Sequence, residues 1–189
     1  MSRSEKIQRR TRVAIDKDVE VVVANLTHGS YSFEAPNHEF SLSFDEFGED
    51  DFLTYGQLRM LKKQLENFQL IITDVTSDDV TIIDIIRGLH LKKQYKDYML
   101  FVEGIKDEAD MAEVDYLDPE ALEEFISEAD SEEFNAALKS RIKVPMIETA
   151  VAMYKEDRLN DHYKIVDIQE TRPDGESEDF WKDIDASLK

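Results

Sequence analysis

Forty-three of the 189 residues are Asp or Glu and four are His, so carboxylate and imidazole chemistry comes first. General acid–base work needs a carboxyl group whose surroundings shift its pKa. Acids this abundant form neighbouring pairs on any solvated surface, and no pair is singled out by spacing. His28, His38, His90 and His162 are isolated from one another, and no His-Glu-x-x-His or similar ligand spacing occurs. His28 and His38 fall in turn segments, where their side chains are expected to face solvent. Asp45-Glu46-Phe47-Gly48-Glu49-Asp50-Asp51 sets hard oxygen ligands beside a glycine, but it lacks the alternating spacing and distal Glu of a calcium loop and reads as a solvated loop. The chain has no Cys, which removes thiol nucleophiles, disulfides and Cys-based metal sites together. Phosphate-binding glycine loops, nucleophile elbows and dinucleotide fingerprints are missing from the sequence as well. The expectation is a non-enzymatic chain with no cofactor, no metal and no catalytic residues.

Two segments carry binding chemistry instead. Arg3, Lys6, Arg9, Arg10 and Arg12 stand against Glu5 alone, so residues 1–12 hold +4 and the remainder −24 of the net −20. This basic arm suits either nucleic acid or an acidic patch on a neighbouring subunit, and the bland reading is a frayed terminus. Elsewhere so acidic a body repels nucleic-acid phosphates and anionic membranes. The second segment, Pro173 to Lys189, places Phe180, Trp181, Ile184 and Leu188 as one apolar stripe among six acidic and two basic residues. The stripe either folds back on its own core or anchors in a partner's groove.

The elements that must position these segments follow from periodicity. Val19, Val21 and Val23, then Tyr31 to Phe33, then the alternating Phe40, Leu42 and Phe44 read as a three-stranded antiparallel meander with one apolar face. Thr54 and Gln57 form a capping box opening a helix at about 54–68, whose Leu58, Leu61, Leu65 and Phe68 should close that face. Leu70 to Val75 is a fourth strand by its length and β-branching. Ser77 caps a helix over Val80 to Arg87 ended by Gly88, and Leu91, Tyr95, Tyr98, Met99 and Val102 mark another.

Beyond Gly104 the composition changes: Glu103 to Glu133 holds fourteen acids and one Lys, with an exposed linker expected near 104–116. Asp118-Pro119 starts a helix, Ser131 opens a further one, and Pro145 must break or kink it. Tyr163 to Gln169 reads as strand slightly better than as helix. The whole is therefore α+β: a basic arm (1–12), an α+β domain with a small meander packed by a capped helix (13–103), an acidic, mostly helical region (104–172) and an exposed tail with an aromatic anchor (173–189). No segment has the apolar length of a membrane span or secretory signal, so a cytoplasmic product is expected. Asn25-Leu26-Thr27 matches a glycosylation sequon that such a product would leave bare.

Residues 19–100 resemble small virion structural or accessory proteins of large tailed bacteriophages. The pattern is Val21-Val22-Val23-Ala24-Asn25-Leu26-Thr27, then Phe44-Asp45-Glu46-Phe47-Gly48, then Leu53-Thr54-Tyr55-Gly56-Gln57-Leu58, then Ile71-Ile72-Thr73-Asp74-Val75. The resemblance implies a head, neck or tail accessory subunit located in the virion. Its partners would be other subunits of the assembly, copies of itself included, and it transfers no functional residues. The rival expectation is an acidic inhibitor or DNA mimic whose residues 103–133 occupy a basic nucleic-acid groove.

Overall fold

The computed structural model describes residues 14–173 and 179–188. Five strands and ten helices give the expected mixed α+β class, but the strands pair differently from a meander. β1 (Glu20–Asn25) is followed by β2 (Tyr31–Glu34) and β3 (Ser41–Phe44), which pair only with each other as a hairpin. The partners of β1 are β4 (Asp50–Thr54) and β5 (Leu70–Val75), both antiparallel, in the order β4-β1-β5. β1 is buried from Val21 to Asn25 on both faces, as a central strand must be, and a one-faced meander would leave half of those side chains in water.

β4 was hidden by its own composition. Asp50 and Asp51 read as loop, yet an edge strand tolerates charge because one side faces solvent. The opposite edge, on β5, is covered: Ile72 N–H donates to Tyr95 Oη (3.2 Å), and Leu117 N–H donates to Thr73 C=O (2.9 Å).

The helix expected at 54–68 is two short ones, α1 (Tyr55–Leu58) and α2 (Lys62–Glu66). Thr54 and Gln57 make the capping box as read. Between the helices, Met60 N–H and Leu61 N–H reach back only three residues, to Gln57 and Leu58 (2.9 and 3.0 Å). That tightening eclipses Leu58 with Leu61, so Leu58, Leu61, Leu65 and Phe68 all still point into the core. Phe68 closes α2 at φ +53°, with Gln69 N–H on Gln64 C=O and Phe68 N–H on Leu65 C=O, the paired bonds of a Schellman stop.

α3 (Ile82–Gly88) is capped by Thr81 with Asp84 rather than by Ser77, because the box needs a side-chain acceptor three residues after the cap and Ser77 has Val80 there. Its left-handed terminator is His90 (φ +63°), not Gly88. Gly88 is small for packing: a Cβ there would sit 2.5 Å from Tyr55 Oη and 2.8 Å from Ile15 Cδ1.

α4 (Lys92–Phe101) buries Tyr95, Tyr98 and Met99. The expected linker carries α5 (Glu108–Met111), buries Met111 and returns to the sheet at Leu117, so it is not a solvated spacer. α6 (Ala121–Glu128) begins a turn after Asp118, and α7 (Ser131–Leu138) is capped by Asp130. The break expected at Pro145 falls just ahead of it: α7 stops at Leu138 and α8 (Lys143–Lys155) starts anew with Pro145 as its third residue, where the missing donor would have had no partner inside the helix.

Residues 163–169 lie in α9 (His162–Glu170), not in a strand; Asp161 caps it through Tyr163 N–H and Lys164 N–H, and only Lys164 and Ile168 are fully buried. α10 (Phe180–Ser187) completes the chain, and one buried cluster runs from Val21 to Trp181 through both the sheet and the helices.

Candidate interaction site

Of the residues expected to bind partners, Arg3, Lys6, Arg9, Arg10 and Arg12 lie outside the described residues. The aromatic stripe is placed. Trp181 is 7% exposed; its Nε1–H donates to Ile165 C=O (2.9 Å), and its ring meets Tyr154 and Phe180 at centroid distances of 4.6 and 4.9 Å. Arg172 lies over Phe180 at 4.1 Å. Ile184 is half-buried and only Leu188 stands in solvent. The segment from Phe180 onward is therefore a docked helix rather than an exposed tail, and its indole is unavailable as an anchor for a partner. α8 and α9 form the slot: Tyr154 supplies an aromatic wall and Ile165 C=O an acceptor, which suit the apolar body and the donor of an indole.

Nor does His28 face solvent. It stacks flat on Phe47 (4.5 Å, 9° between planes), with Nδ1 3.9 Å from a Glu123 oxygen. Glu123 is buried and held by both arms of Arg158, which also reaches Glu156 (3.2 Å). Burial lowers the His28 pKa, Arg158 adds to that, and Glu123 and Glu156 pull the other way without overcoming it. His28 Nε2 is buried and has no hydrogen-bond partner among the described residues. The cluster clasps the 25–29 turn to α6 and the end of α8.

Asn25 organises the same turn. Its Nδ2 donates to Gly29 and Glu46 carbonyls (3.0 and 2.9 Å), and its Oδ1 accepts from Thr27 N–H and Oγ1–H (2.9 and 2.7 Å). With all four hydrogen bonds made and no exposed surface, the sequon asparagine is a turn staple.

Many acids are likewise spent locally. Glu49 accepts from Asp45 N–H and Glu46 N–H, Asp118 from Glu120 N–H, and Asp130 from the first turn of α7. Within the supposed mimic surface, then, Asp118, Glu123 and Asp130 already have partners in this chain. Among the described residues no three His, Asp or Glu gather closely enough to hold a metal ion. An open groove of about 300 Å³ beside β5 and the start of α3 is lined by Asp74, Asp78 and Asp115 with Ser77 and Thr81, whose hydroxyl is taken up by the capping box with Asp84.

What the sequence reading missed is the open corner of the sheet. Phe52, 59% exposed, faces Val22 in register, and Val22 faces Asp74 on its other side, so the three form one rung. Asp50, two residues before Phe52, shares that face. Tyr116, 57% exposed, is brought beside β5 by the Leu117–Thr73 hydrogen bond. Its phenol pKa is raised by partial burial and by the negative charges of Asp118, Asp50, Asp74 and Glu120 around it. Of these four carboxylates, Asp50 and Asp74 also share the sheet face of Phe52. The available signal was an aromatic surrounded by acids in each of two segments read as loops. Comparison with protein-family models, curated proteins and solved structures finds no match to this chain.

Proposed function

We propose that this chain is a non-enzymatic assembly protein that works through protein–protein interfaces, and that the assembly is the virion of a tailed bacteriophage, with the chain as a head, neck or tail accessory subunit. The observation that carries the interface reading is that two large aromatics, Phe52 and Tyr116, stand in solvent among carboxylates, Asp50 and Asp74 on the sheet face of Phe52 and Asp118 and Glu120 near Tyr116. Large exposed aromatics at the centre of a polar ring are the residues that interfaces use as anchors, and a monomer gains nothing from leaving them in water. Opposite charge on the first twelve residues adds a second contact element. The virion as the location rests on the resemblance of residues 19–100 alone.

Mass spectrometry of purified phage particles tests the reading. The expected result is the intact chain in multiple copies per particle. A chain absent from particles, free in the infected cell and bound to a single basic protein would overturn it in favour of an acidic inhibitor.

A further inference from the structure

We infer that His28 is an acid-sensitive clasp, which in its neutral form holds the root of the β2–β3 hairpin against α6 and on protonation lets that root open more often while the body stays folded. β2 and β3 pair only with each other, so the hairpin depends on other ties, and Leu42 and Phe44 of β3 supply one by reaching into the core. The root supplies another. His28 lies in the turn that enters β2 and Phe47 in the loop that leaves β3, and the flat stack of their rings (4.5 Å) joins the two ends of the hairpin. Glu123 of α6 sets a carboxylate 3.9 Å from Nδ1 of the same imidazole. Asn25 adds hydrogen bonds that do not titrate, to the Gly29 and Glu46 carbonyls and from Gly48 N–H (2.9 Å). Acid is therefore expected to loosen the root rather than to release the hairpin.

The geometry disfavours the proton. The carboxylate beside Nδ1 keeps a hydrogen on that nitrogen, which leaves Nε2 bare in the neutral ring. A second proton must go to Nε2, which is buried and has no hydrogen-bond partner among the described residues, so protonation creates an unmet donor as well as a charge. Glu123 does not turn to meet it, because both of its oxygens are held by Arg158. The charged groups that act on the ring are Glu123 from α6, and Glu156 and Arg158 from the end of α8. The two carboxylates favour the imidazolium, but Arg158 pairs with both and itself opposes it; burial is the largest effect and leaves the pKa below 6.5. From the 45–49 loop comes the Phe47 ring, while the Glu49 carboxylate accepts from Asp45 N–H and Glu46 N–H.

Proton NMR of the four imidazoles and amide hydrogen exchange, on the full chain between about pH 7.5 and about pH 5.5, test the inference. His28 should titrate below 6.5. Thr27, Gly29 and Gly48 N–H close the root, and Ile72 N–H, bonded to Tyr95 Oη, reports the body. After correction for intrinsic rates, the root amides should exchange about tenfold or more faster than Ile72 at both pH values, since their opening needs no global unfolding. Their opening should also rise between about twofold and about tenfold at the lower pH, tenfold being the limit set by a histidine that regains a pKa of about 6.5 once released. A His28→Phe chain keeps a stacked ring but has no proton to gain, and should lose that rise. A His28 pKa at or above 6.5, root amides that exchange only in step with Ile72, or a rise that persists in the His28→Phe chain overturns the inference. The first two are read on the parent, so they decide the matter even where the variant folds poorly.

Discussion

Replacing Trp181 by Ala tests whether α10 belongs to the folded body. The side chain is 7% exposed, fills a slot between Tyr154 and Phe180, and donates its indole N–H to Ile165 C=O. Truncating a buried Trp costs about 3–5 kcal/mol, and the indole hydrogen bond lost with it adds about 1 kcal/mol. The loss has a ceiling, however. α10 is a terminal helix of eight residues, and once its docking is worth less than the damage it detaches and the rest of the fold survives. A loss of about 3 kcal/mol is therefore expected, which for a chain of this size lowers Tm by about 6–12 °C. Because Trp181 is the only Trp, its emission reports this contact alone in the parent. That emission should be blue-shifted and poorly quenched by iodide, with a urea midpoint at or below that of far-UV circular dichroism. A Trp181→Ala chain within about 0.5 kcal/mol of the parent, together with free quenching of the parent's Trp181, would mean that the helix is not docked, and would return the stripe to the list of partner anchors.

Four further outcomes follow from single contacts. His28 has a folded-state pKa below its unfolded value of about 6.5, so the unfolded chain binds the extra proton, and the contribution to stability is complete above that pH and lost as pH falls through it; the urea midpoint should drop from pH 7.5 to pH 5.5 more steeply in the parent than in a His28→Phe chain. Glu103 is shifted upward by burial and then by Asp118, with one carboxylate oxygen buried and unmet, so its ionisation opposes folding above the ordinary Glu pKa. Glu103→Gln should raise Tm at pH 7 and lose that advantage near pH 4, and equal melting at both would refute the assignment. Gly88→Ala should destabilise by about 1–3 kcal/mol through collision with Tyr55 and Ile15, despite the better helix propensity of Ala, whereas His90→Gly should stabilise by about 0.5–1 kcal/mol by relieving a left-handed His; chemical denaturation distinguishes the two signs.

Local rules were legible in the sequence. The mixed class, the capping box at Thr54–Gln57, the inward Leu58, Leu61, Leu65 and Phe68, the strand at Leu70–Val75 and the helix carrying Tyr95 and Tyr98 all depend on interactions a few residues apart, which periodicity and capping record directly. Pairing was not legible. That β1 takes β4 and β5, about thirty and fifty residues away, rather than the nearby β2, is decided by which arrangement buries both faces of Val21–Asn25, a property of the assembled core. The same holds for helix against strand at Tyr163–Gln169, where the short apolar spacing fits both and the cap at Asp161 with the buried Lys164 and Ile168 settles it. For the site the division is sharper. The sequence marked Phe180 and Trp181 as conspicuous, and tertiary packing took Trp181 out of solvent because Ile165 C=O and Tyr154 were there to receive it. It passed over Phe52 and Tyr116, sixty-four positions apart, and only the pairing of β4 with β1 and the hydrogen bond from Leu117 to Thr73 place them at the two sides of the sheet with their rings in solvent.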